Sequence, residues 1–65
     1  MSHNADIILG LLLEAKSGLT ARQLSKMSQI RLNSVLRALD SLGRYDLVQV
    51  TDEKDELGGY VWRAL

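Results

Sequence analysis

The sequence predicts an α+β domain, three helices followed by a C-terminal two-stranded β-hairpin, in one unit over all 65 residues. Three observations carry this expectation. An apolar-rich stretch at 5–15 and two amphipathic stretches at 21–27 and 31–42 have helical periodicity and are separated by turn signals. The last third changes to β-branched alternation at 47–51 and 60–65, on either side of a charged, glycine-containing turn. Finally, the chain has no cysteine and a single histidine, so neither a disulfide nor a thiolate metal site can hold it, and the 46% apolar share must build a core.

The first helix is expected over 5–15, after a frayed start, with Asn4 as its N-cap and Asp6 complementing the helix dipole in the first turn. Ile8, Leu9, Leu12 and Ala15 form its core face. Ile7 and Leu11, spaced i, i+4, point elsewhere; they suggest a homodimer contact, the alternative being that they pack under 61–65. Gly18 breaks this helix. Thr20 and Gln23 then form a T-x-x-Q capping box, with Leu19 stapling onto Leu24, so a short second helix is expected over 21–27. Its inward residues are Leu24 and Met27 and its outward ones Arg22 and Lys26.

Ser28, Gln29 and Ile30 make the next turn. The third helix, 31–42, sets an apolar stripe of Leu32, Val35, Leu36, Leu39 and Leu42 against a polar one of Asn33, Ser34, Arg37, Ser41 and Arg44, and Gly43 is expected to end it. Asp52 to Glu56 read as the solvated turn of the hairpin, and Trp62 as an aromatic covering the bottom of the domain.

Charge is segregated although it sums to zero. Residues 1–15 carry two carboxylates and no cation. Residues 16–44 carry Lys16, Arg22, Lys26, Arg31, Arg37 and Arg44 against Asp40, a local +5, and residues 45–65 carry a local −3. Such asymmetry bears on partners: a cationic helix pair suits a polyanion. An enzyme is not expected, because one terminal histidine and carboxylates clustered on a turn assemble no nucleophile–base pair; neither a cofactor nor a metal is implied. The apolar run Ile7 to Leu13 is too short to span a bilayer and lacks the flanks of a signal peptide, so a soluble, cytoplasmic protein is expected.

The capping turn GLTARQLS, the pattern IRLNSVLRALDSL, the pair Leu47-Val48 and the closing YVWRAL, in that order, resemble the winged helix-turn-helix superfamily over nearly the whole chain. They look like its small bacterial stand-alone transcriptional regulators. The resemblance implies double-stranded DNA as partner and makes the helix starting near Arg31 the recognition helix in the major groove. Arg31, Asn33, Ser34 and Arg37 would then lie nearest the base edges. That chemistry is suitable: arginine pairs with guanine and asparagine with adenine in bidentate fashion. Arg22, Lys26, Ser41 and Arg44 are better placed for phosphates. The chain departs from the pattern at the wing tip, where Asp52, Glu53, Asp55 and Glu56 stand in place of basic residues, and at Asp46, where the family often turns on glycine. The acidic wing supports an alternative, a protein–protein adaptor with little or no DNA binding.

Overall fold

A computed structural model describes residues 2–65. The chain order is α1 (His3–Glu14), β1 (Leu19–Thr20), α2 (Ala21–Ser28), α3 (Leu32–Arg44), β2 (Val48–Lys54) and β3 (Tyr60–Ala64). The three helices pack beside an antiparallel sheet of order β1-β3-β2. The sheet therefore has three strands, where the sequence indicates two. Two residues are too few to show periodicity, and Leu19 and Thr20 become a strand only because β3 offers them an edge, with Leu19 opposite Trp62 and Thr20 opposite Val61.

α1 starts earlier than its expected start. Ser2, not Asn4, is the N-cap, its Oγ accepting from the Ala5 backbone N–H at 3.2 Å. Serine and asparagine cap equally well, and starting at His3 gives Ala5 and Ile8 the helical geometry that buries both in the core. Of the start expected to fray, Ser2 is thus the cap and His3 and Asn4 begin the first turn, while Met1 lies outside the described residues.

α2 is held by the anticipated box: Thr20 Oγ1 accepts from Gln23 N–H at 3.2 Å and Gln23 Oε1 accepts from Thr20 N–H at 2.8 Å. Its inner face is made of small residues, Ala21, Ser25 and Ser28 around buried Leu24. Small residues bring α2 close to α3, and Met27, expected inward, is turned out and 56% exposed. The turn to α3 passes through Gln29 in the left-handed region at φ 60°. There Ser25 and Ser28 hydroxyls donate to the carbonyls of Ile30 and Leu24.

On α3 the buried residues are Val35, Ala38, Leu39 and Leu42, packed chiefly on Ile8 and Leu12 of α1 and completed by Val48. This stripe includes Ala38 and is rotated from the expected one, leaving Leu32 38% and Leu36 46% exposed on the flank facing the sheet. Nor does Gly43 end the helix, which continues to Arg44. The end is a Schellman motif: Leu47 N–H donates to Leu42 C=O and Asp46 N–H to Gly43 C=O, both at 3.0 Å. Asp46 occupies the left-handed position at φ 58°.

β2 runs through three residues assigned to the turn, Asp52, Glu53 and Lys54, with a register shift against β3 between Val50 and Lys54. Charged residues are tolerated there because β2 is an edge strand. The true turn is closed by Asp55, whose Oδ1 accepts from Leu57 and Gly59 N–H at 3.1 and 2.8 Å.

Two substitutions test this account. Asp46→Gly relieves both the left-handed strain and a carboxylate at a helix C-terminus, and should stabilise the fold by about 0.5–1 kcal/mol in urea unfolding. Gly18→Ala should destabilise it by about 2 kcal/mol, since Gly18 sits at φ 91° and a Cβ would lie 2.5 Å from Val61 Cγ1 and 2.6 Å from Trp62 O.

Candidate nucleic-acid interface

The outward face of α3 follows from its buried one. Opposite Val35, Ala38 and Leu42 stand Asn33, Arg37, Asp40 and Arg44, all exposed and spaced to form a single row. Arg44 is tied to Asp40 at 3.1 Å, an exposed i, i+4 pair that holds its guanidinium along the helix. Such a pair contributes only about 0.3–0.5 kcal/mol and opens at little cost. Asn33 and Arg37 are both exposed, and Arg37 forms no ion pair among the described residues.

The flanks of α3 differ. Ser34 and Ser41 are half-buried on the side toward the start of α1, where they line a cleft of about 220 Å³ with Ser2, Asn4 and Arg37. On the opposite flank, Arg22 and Lys26 of α2 adjoin Leu32. Arg31 precedes the helix as its N-cap residue, exposed and making no side-chain capping bond. The eight residues expected to meet DNA therefore form a band across α3. Cations of α2 lie at one border, Asn33 and Arg37 at the centre, and the two serines at the other. Ser2 and Asn4 extend that border, where the positive end of the α1 dipole adds to the field. The Ser2 cap followed by Asp6 in the first turn is the sequence signal that could have placed them there.

Ile7 and Leu11 are both half-buried; Leu11 packs against the core, and neither is a fully open apolar surface. The exposed leucine of α1 is Leu13.

The acidic residues of the hairpin are not equivalent. Glu53 pairs with Arg63 at 2.7 Å on the outer face of the sheet, and Asp55 is committed to the turn. Asp52 and Glu56 are exposed and form no ion pair among the described residues. Among the described residues, no group of three or more His, Cys, Asp or Glu side chains is placed to hold a metal ion. No helix among the described residues is long and apolar enough to cross a membrane.

What sequence reading missed is an apolar strip beside this band. Leu32, Leu36, Val50, Tyr60 and Trp62 line a single open groove between α3 and the sheet. The half-β-branched alternation of 48–50 and 60–64 places the strand residues on one face, but only the rotation of α3 reveals which leucines meet them.

No protein-family model, no curated protein and no solved structure matches this chain.

Proposed function

We propose that this is a winged helix-turn-helix protein that binds double-stranded DNA and regulates transcription in the cytoplasm. In this reading α3 is the recognition helix in the major groove and the β2–β3 hairpin is the wing. The observation that carries it is the presence of Arg22, Lys26, Arg31 and Arg37 on the α2–α3 unit, all exposed and none in an ion pair among the described residues. A fold does not require four unpaired cations on adjacent helices, whereas a phosphate backbone uses them directly. Asn33 and Arg37 supply the base-reading chemistry at the centre of the band, with Arg31 and Ser34 beside them. Arg22, Lys26 and Ser41 at its borders, and Arg44 at the end of its central row, supply grip on the backbone.

A second reading is favoured by one feature, the exposed Asp52 and Glu56 at the wing tip, which repel phosphate: an adaptor that engages a protein and binds no duplex. The two readings differ in salt response. The logarithm of the affinity for duplex DNA falls linearly with log salt, with a slope of about −0.9 per phosphate contact.

The test is fluorescence anisotropy with a duplex selected from a random pool. Arg37→Ala should weaken specific binding by about 1–3 kcal/mol, the scale of a bidentate base contact, while Lys54→Ala leaves it almost unchanged. Lys26→Ala should reduce the salt slope by about 1 without altering sequence preference. Equal losses at Arg37 and Lys54 would remove α3 from the recognition role, and absence of salt-sensitive binding would favour the adaptor.

A homodimer through α1 belongs to the same reading, since a second copy doubles the phosphate contacts and reads two half-sites. Because Leu11 packs against the core, Ile7 is the side chain to test. Ile7→Glu should halve the mass measured by sedimentation; an unchanged mass would place any dimer contact elsewhere.

A further inference from the structure

The inner face of the sheet extends beyond the core that covers it. Residues paired across strands share a face, so Val48 with Ala64, Val50 with Trp62, and Lys54 with Tyr60 make one row running outward along the hairpin. Val48 is buried at the base of this row, whereas Val50 and Tyr60 are each about half exposed. Leu32 and Leu36, one turn apart on α3, face them across a groove of about 300 Å³ lined also by Trp62. Large contiguous apolar surfaces on small soluble domains mark interaction sites.

Cations line and flank the groove, and Asp55, the carboxylate in the adjoining cleft with Arg22 and Lys26, is taken up by the backbone of the hairpin turn. Arg22 lines the groove, Lys26 lies in the adjoining cleft with Leu32, and the Lys54 ammonium sits 4.9 Å from the centre of the Tyr60 ring. Among the described residues, none of these cations is in an ion pair and no carboxylate lines the groove itself. Phosphate would satisfy the cations and leave the apolar walls uncovered, while an uncharged apolar ligand would do the reverse. A helix with apolar anchors one turn apart and carboxylates beside them satisfies both. We propose that this groove binds an acidic amphipathic helix of a protein partner. Leu32 and Leu36 form one wall, Val50 and Tyr60 the other, and Arg22 and Lys26 meet the carboxylates. The site stands independently of DNA binding, but it shares Arg22 and Lys26 with the band described above, so an acidic helix and a duplex compete for them.

Trp62, the only tryptophan of the chain, reports on the groove from within. The experiment titrates the protein with a synthetic peptide of leucine and glutamate, arranged so that its leucines fall on one helical face. The control is the same composition scrambled to lose that face. A saturable blue shift of Trp62 emission is expected with the amphipathic peptide alone, weakening severalfold as salt rises. Leu36→Glu should abolish the shift, and Arg22→Glu should weaken binding about fivefold, the scale of one exposed charge pair. Amide shifts confined to Leu32, Leu36, Val50 and Tyr60 in the unmutated protein would locate the peptide without relying on either variant. The proposal is overturned by an unresponsive Trp62, by equal binding of the scrambled peptide, or by amide shifts elsewhere. Emission and mass that change with protein concentration alone would also overturn it, assigning the groove to a second copy. Trp62 emission is read without DNA, so failure here leaves the anisotropy result untouched, and the reverse holds.

Discussion

Thr20 joins the parts of this small domain. It is the one polar residue fully buried among the described residues, and it serves two elements at once. As half of β1 it pairs with Val61 of β3; as N-cap of α2 it exchanges two hydrogen bonds with Gln23. Its side chain also lies close to Gly59 at the end of the hairpin turn, where an added Cβ would be 3.8 Å from Thr20 Cγ2. A hydroxyl removed from water must be satisfied, and here the satisfaction fixes the direction in which α2 leaves the sheet. The angle of α2 in turn sets α3, because the serine-wired turn between them leaves little freedom.

Once α3 is set, its three faces have separate tasks. One is buried against α1, one carries Asn33 and Arg37 outward, and one turns two leucines toward the hairpin. The domain is therefore cationic and polar on one side of a ridge and apolar on the other, with Arg22 belonging to both. Segregation of charge along the sequence becomes segregation in space because α2 and α3 are adjacent in the chain and in the fold. Asp55 and Leu57 of the hairpin turn share a cleft of about 390 Å³ with Arg22 and Lys26 of α2. The Asp55 carboxylate moderates the positive field at that border without forming an ion pair among the described residues.

Features decided within four or five residues were legible in the sequence: the Thr20–Gln23 box, the break at Gly18, the three helices, and the tolerance of Asp46 for a turn. Features decided by a distant partner were not. β1 exists only because β3 lies alongside. Met27, expected inward, turns out, and Ala38, which had no place in the expected stripe, is buried, because close approach of helices is permitted by alanine and serine and not by methionine. Gly43 looked like a helix stop by composition, yet the stop belongs to the residue whose neighbours complete the paired hydrogen bonds. For the candidate site, residue types were legible and their grouping was not: the eight expected residues divide between two flanks and a centre. Only the rotation of α3 revealed the groove beside them.

Both margins of the sheet are blunt. β1 offers only two residues at one margin, and β2 ends its margin in Asp52, Glu53 and Lys54 after a register shift. Short, charged and irregular margins discourage another chain from adding a strand. A sheet protected in this way can sit at high local concentration, with many copies side by side, and avoid fibrous aggregation. Whatever meets this protein is thereby directed to its side-chain surfaces, where selectivity resides, and away from backbone hydrogen bonds that any extended peptide could supply.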